Sequence, residues 1–344
     1  MNIFCDLHHG GLYYSLHLLL EKRLGHKLFR PIGTEWFEEG FWRIAEPYGN
    51  APDTIGQFLG LENTTWDQYK NLNGNYVLED GVYNIYDTHY HYHQKAITPD
   101  KFREMQIDVV ISSYPGHDET YDLLCKTYKP EAKRVCQLGN NGQTSSGKNL
   151  LISTTFEPDY PCNFVHYHQE FDEKIFCYTP LTNHNKVTSF MNALQSQPDY
   201  QLYWQLKDMM PDFDWKSFGG GCEDGTFHDE EGIAQEMKDS LFIWQVKSQG
   251  DGYGHLPHQA AAIGRPFIYK GSYYNGQMPG RLANDDTCIN IDNLSPGEIA
   301  DKIRYFAKPE IAEMMSKSIR KKYEEEVNFE QDAKNVSAFL DSLI

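Results

Sequence analysis

The 344-residue sequence contains no apolar run approaching the roughly 20 residues that a membrane-spanning helix needs. Its most apolar stretch, 12–20, is broken by Ser15 and His17 and runs into Glu21, Lys22 and Arg23. The amino terminus shows no basic region followed by a small-residue cleavage site, so no signal peptide is expected. Its 7 cysteines are odd in number and scattered, with no CxxC pair, which argues against a disulfide framework and for reduced thiols. Positive charge is scarce as well: 31 Lys and Arg stand against 49 Asp and Glu, a net charge of −18 shared by both halves of the chain. A broad phosphate-tracking surface needs clustered Lys and Arg, so nonspecific nucleic-acid binding is disfavoured and only a small local basic cleft is left open. The composition leads to the expectation of a soluble protein of a cytoplasm-like compartment.

What is present is ordinary for a globular chain, with 40% apolar and 23% charged residues and length for about two domains. Residues 2–5 read as a short buried strand, 6–11 as a polar loop ending in glycine, 12–24 as a helix stopped at Gly25, and 26–30 as a second strand. A strand, turn, helix and strand within about 30 residues is a βαβ unit, implying a parallel sheet with a right-handed crossover. Residues 31–95 are less regular and rich in aromatics, among them Trp36, Trp42, Trp66 and Tyr86. They read as an insertion whose rings either form a core of their own or stack sugar rings or bases. Regular alternation resumes with helices over 99–105 and 119–127 and strands over 107–112, 134–138 and 150–154. In the second half, strands are expected over 175–178, 201–204, 215–218, 241–245, 266–269 and 288–291. Helices are expected over 186–196, 230–239, 255–263, 295–306, 309–326 and 329–343. The fold class that follows is α/β, with two Rossmann-like domains facing across a cleft: 1–170 carrying the insertion, 171–328, and a terminal helix in 329–344.

The chemistry concentrates in the run from Gly250 to Tyr269, which leaves a predicted strand, crosses a glycine-rich loop and opens a helix. A helix amino terminus presents unpaired N–H groups and partial positive charge, a ready site for phosphate. Gly252 and Gly254 let backbone approach a ligand closely, Gln259 lies one turn into the helix within reach of a ribose hydroxyl, and Asp251 suits a sugar hydroxyl. The plain alternative is a tight strand-to-helix connection with no ligand.

Asp251, Gly252, Tyr253, Gly254, Gln259, Ala260, Gly264, Pro266 and Ile268 together resemble the donor-binding signature of GT-B glycosyltransferases. The likeness is to the large retaining group, glycosyltransferase family 4, that contains bacterial glycan and glycogen-synthase-like enzymes. That signature has an acidic residue, Gly, an aromatic, Gly, a second acid eight positions after the first, then an Ala-rich helix and Gly-x-Pro-x-Ile. Here the first acid is Asp and the second position is Gln259. The resemblance implies GT-B architecture, with a nucleotide-diphosphate hexose, UDP-glucose, as co-substrate and no metal or other cofactor. It implies Asp251 and His117 on the transferred sugar, Gly10 and Gly11 approaching the donor, and Lys186 on its phosphates. It also implies Gly252, Tyr253, Gly254, His255 and Gln259 along the nucleotide, and a last helix crossing back onto the first domain. The acceptor is a glycan, a lipid-linked hydroxyl or a hydroxymethylated pyrimidine of phage DNA, held by Trp36, His89 and His91. The compartment is then bacterial cytoplasm, or a host cytoplasm for a phage protein. A catalytically inactive nucleotide-binding module and a nucleotide-sugar epimerase are the readings that stay open beside it.

Two further motifs compete. Asp212-Phe213-Asp214 matches the Asp-x-Asp of metal-dependent glycosyltransferases, but three residues match by chance often, and a helix-start or turn carboxylate pair is the favoured reading. His89, His91 and His93 alternate, so an extended strand would turn all three to one face, for a metal, for an acceptor groove or simply as plain surface. His8 and His9 at the end of the first strand suit a ligand contact or a solvated loop end.

Overall fold

The computed structural model describes residues 1–7, 10–31, 76–79, 81–97, 99–113, 118–140, 143, 145–155, 160–249 and 252–344. Trp36 and most of the aromatic-rich insertion, His8, His9, His117 and Asp251 lie outside them. The chain divides into two compact units: Met1–Ser153 with Pro158–Glu170 and Phe329–Ile344, and Thr154–Glu157 with Phe171–Asn328.

In the first unit the strands are β1 (Asn2–Asp6), β2 (Lys27–Pro31), β3 (Tyr76–Glu79), β4 (Val82–Asp87), β5 (Tyr92–Ile97), β6 (Val109–Ser112), β7 (Lys133–Leu138), β8 (Asn149–Ile152) and β9 (Asn163–His166). They form one sheet in the order β3-β4-β5-β2-β1-β6-β7-β8-β9. Pairing is parallel from β5 through β9 and antiparallel between β3, β4 and β5. Strand side chains alternate between faces, and both faces are covered. Ile3, Cys5, Val109 and Ile111 pack with Leu12 and Leu16 of α1 (Gly10–Leu16), which continues as a π-helical stretch His17–Arg23. Phe4 and Val110 point the other way, against Phe102 of α2 (Pro99–Glu104) and Tyr121 and Leu124 of α3 (Asp118–Tyr128). The β4–β5 hairpin falls where the sequence reads as irregular, because its turn residues and half-exposed strands break the apolar alternation.

The second unit holds β10 (Lys186–Ser189), β11 (Asp214–Ser217), β12 (Phe242–Trp244), β13 (Phe267–Tyr269) and β14 (Ile289–Asn290), all parallel, in the order β11-β10-β12-β13-β14. Its helices are α4 (Tyr200–Met209), α5 (Glu230–Lys238), α6 (His255–Ile263), α7 (Gly271–Tyr274), α8 (Met278–Leu282), α9 (Pro296–Phe306) and α10 (Pro309–Glu326). Helix α11 (Phe329–Asp341) belongs to the first unit, where Val336 and Leu340 join the core beside β1, and Asp332 accepts from the ring of His168 at 2.8 Å.

Three expectations are corrected here. The helix expected over 186–196 begins instead as strand β10, because β-branched Val187 and Thr188 occupy fully buried positions between two neighbouring strands. The strand expected over 201–204 is part of α4, whose buried Tyr203 and Leu206 are spaced three apart on one helical face. The strand expected over 175–178 is occupied in part by a turn, with the Ile175 and Phe176 amides both donating to the Asp172 carbonyl.

The ends of α5 and α6 converge on Arg265, whose residue is 0% exposed. Its guanidinium donates to the carbonyls of Lys238 (2.6 Å), Thr179 (2.7 Å) and Pro180 (3.3 Å). Burial pushes its pKa down to about 10, so it remains charged at neutral pH. Replacing Arg265 by Leu is expected to cost the second unit about 3 kcal/mol by leaving buried carbonyls without donors. Denaturant unfolding followed by tryptophan fluorescence checks this, and an unchanged midpoint would contradict it.

Candidate functional site

In the second sheet the chain moves from β10 outward to β11 on one side and from β12 to β14 on the other. The carboxyl ends of β10 and β12 therefore flank a topological switch point, where open α/β sheets bind their ligands. The connection that leaves β12 there ends in Gly252, Tyr253 and Gly254 and enters α6 at His255.

Gly254 caps α6 with left-handed backbone, φ 72° and ψ 65°. A Cβ at Gly254 would stand 2.6 Å from Cγ of Pro279 in α8, so both conformation and space require glycine. Tyr253 is 2% exposed and stacks flat on His258, with ring centroids 4.0 Å apart and planes 13° apart. The Gly254 carbonyl accepts both the His258 amide (3.3 Å) and Nδ1–H of its ring (2.8 Å). A carbonyl only accepts, so Nδ1 carries the proton. The rings of Tyr253 and His258 thus brace the turn. Pro257 contributes no N–H, which leaves His255 and Leu256 as the donors at the head of the helix.

Gln259 is 6% exposed, and its Nε2 donates to Oε1 of Glu230 at 3.3 Å. Glu230 is the first residue of α5, behind the Asp229 cap whose Oδ1 accepts the Gly232 amide at 2.9 Å. That end of α5 follows β11 and so lies at the same edge of the sheet. Beside it, Phe227 packs with Phe218 (centroids 4.6 Å) and Phe190 (6.2 Å). Past β13, Lys270 pairs with Asp199 at 2.6 Å, and Asp199 also accepts from the Ser248 hydroxyl at 2.9 Å.

The structure thus brings together Gly252, Tyr253, Gly254, His255 and Gln259. Lys186 is placed elsewhere, which corrects its expected place beside the turn. It opens β10, in register with Asp214 at the start of β11, and its ammonium binds Glu236 at 2.5 Å. Its end of the parallel strand is opposite to the one that α6 faces. Asp212 and Asp214 share that amino-terminal edge; Arg304 holds Asp212 in a two-point ion pair and keeps its carboxyl below the ordinary range.

Gly10, Gly11, His89 and His91 belong to the first unit. Gly10 and Gly11 open α1, buried, just past the carboxyl end of β1. His89 and His91 do not alternate along a strand: both lie in the β4–β5 turn, where Asp87 Oδ1 accepts the amides of His89 (2.9 Å) and Tyr90 (3.0 Å). His91 itself has φ 51°, and of the three histidines only His93 is on β5. Sequence reasoning missed Glu230 and Lys270. The Asp-Glu-Glu run before an apolar period marked a helix start, and Lys270 directly follows a predicted strand end, but their neighbours are set by the sheet order alone.

No protein-family model matches the sequence, and no curated protein matches it in sequence. Solved structures do match in three dimensions along nearly the whole chain. HepE of Anabaena, in complex with UDP and glucose, covers 99% of this chain and 99% of its own at 8% identity, with a TM-score of 0.64. A glycosyltransferase from Rickettsia africae covers 99% and 98% at 10% identity, TM-score 0.63. An alpha-glucosyltransferase, in complex with UDP and a 13-mer DNA containing an HMU base, covers 99% and 99% at 10% identity, TM-score 0.61. The chain therefore has the α/β fold of GT-B glycosyltransferases.

A Gly254→Ala variant is expected to lose about 2 kcal/mol or more, from a left-handed residue with a side chain and from its clash with Pro279. Thermal unfolding checks this, and a variant as stable as the parent would contradict the strained turn.

Proposed function

We propose that this protein is a glycosyltransferase that takes a hexose from a nucleoside diphosphate, UDP-glucose, and transfers it to a hydroxyl acceptor. The carrying observation is the glycine turn that delivers α6, amide end foremost, to the switch point of the second sheet. In this reading the amides of His255 and Leu256, with the partial positive charge of the helix end, receive the diphosphate. As the bond to the sugar breaks, negative charge grows on the departing phosphate, and fixed backbone dipoles stabilise it without having to reorganise. Lys270, at the same edge, is the cation whose pairing with Asp199 can be exchanged for a phosphate oxygen. Asp251, which the resemblance sets on the transferred sugar, would hold the hexose, with no bound metal required.

Structural relatives support the donor: one structure of Anabaena HepE is in complex with UDP-glucose. For the acceptor, the net charge of −18 favours a neutral hydroxyl, of a glycan or a lipid-linked sugar, over a DNA strand. The DNA-bound alpha-glucosyltransferase with the same fold keeps a hydroxymethylated pyrimidine as the second acceptor to assay.

Calorimetric titration with UDP should give saturable binding. Gly254→Trp should abolish it, and Lys186→Ala, which alters only the far edge of the sheet, should leave it within about twofold. Absence of binding at millimolar UDP would overturn the proposal.

A further inference from the structure

A carboxylate buried beside a carboxamide at the ligand edge of a nucleotide-binding sheet asks for an explanation. Glu230 is 5% exposed and is held by the Gln259 amide at 3.3 Å, across two different helices. We propose that Glu230, oriented by Gln259, holds the ribose diol of the donor nucleotide, a claim that rests on the nucleotide-sugar reading of this site. The two hydroxyls of a ribose are both donors toward an ionised carboxylate, which accepts on two oxygens; a neutral carboxamide offers one. Gln259 has the reach but lacks the charge, and its Nε2–H is already given to Glu230. The two side chains therefore take separate roles, the carboxylate on α5 accepting and the carboxamide on α6 fixing its direction.

Glu230 opens α5, so its carboxyl group sits at the positive end of that helix's dipole. The surroundings fit the rest of a nucleoside. A Cβ on Gly232, in the first turn of α5, would meet the Phe227 ring at 2.9 Å, so that ring lies directly on the helix end that carries Glu230. Phe227, Phe218 and Phe190 pack into an apolar aromatic wall, with planes inclined to one another by 24°, 36° and 40°, and aromatic rings are surfaces on which a base stacks. A purely structural hydrogen bond between two helices would need neither the wall nor the switch point, and it would be indifferent to the sugar of a bound nucleotide.

That difference is measurable by titrating UDP, 2′-deoxy-UDP and inorganic pyrophosphate into the parent protein and Glu230→Gln. The parent is expected to bind UDP about tenfold more tightly than 2′-deoxy-UDP, as removal of one charge-assisted hydrogen bond predicts. Glu230→Gln should lose most of this preference while binding pyrophosphate as the parent does. Should Glu230→Gln fail to fold, Gln259→Leu tests the same point: it keeps the carboxylate but frees its orientation, so the preference should shrink without vanishing. Equal affinity of the parent for UDP and 2′-deoxy-UDP would overturn the assignment, as would an undiminished preference in Glu230→Gln. Failure of the parent to bind UDP at all is a different result, which removes the donor reading itself.

Discussion

Where the chain leaves the middle of the second sheet and enters α6, two constraints meet at one residue. Gly254 adopts left-handed backbone, and Pro279 closes the space that any side chain would fill. Tyr253 and His258 stack over the same turn, and the Gly254 carbonyl accepts two hydrogen bonds from His258. In the proposed function this stiffness has a chemical purpose. Amides that recognise an anion act best when already aimed, because no free energy is then lost in ordering them as charge develops.

This arrangement also reconciles an acidic chain with the anionic substrate proposed for it. Several lysine side chains of the second unit are engaged by carboxylates, as in Lys186 with Glu236, Lys207 with Glu223 and Lys270 with Asp199. Backbone dipoles carry no net charge and cannot be titrated away, so they serve phosphate without altering the acidic surface. The buried cation at the far ends of α5 and α6, Arg265, binds carbonyls and stabilises the helices rather than the ligand.

Much of the frame was legible in the sequence. The opening strand, helix and strand stand at β1, α1 and β2, and α6 falls on the expected 255–263, because its Ala-rich core follows a glycine turn and ends at Gly264. The exchange of strand and helix at 186–189 and 200–209 has a physical cause. Short, fully buried strands lose the alternation that identifies them, and an aromatic-rich helix such as α4 imitates strand composition. Lys186 was assigned by resemblance alone, which does not show that it opens β10 at the end of the sheet away from α6. Tyr253 was legible as part of the motif but not as a brace, since its partner His258 is apparent only once the turn is folded. Glu230 escaped notice for a related reason: 29 residues separate it from Gln259, and only the packing of α5 against α6 brings their side chains together. Trp36, His117 and Asp251 remain expectations from the sequence, outside the described residues.

Hydrogen exchange at the head of α6 addresses the central claim most directly. Peptides covering residues 252–258 would be compared in the free protein, with saturating UDP and with saturating uridine. If the turn cradles the diphosphate, UDP slows exchange of the His255 and Leu256 amides and uridine leaves them unchanged. Bound UDP with exchange at those two amides unaltered would contradict the account.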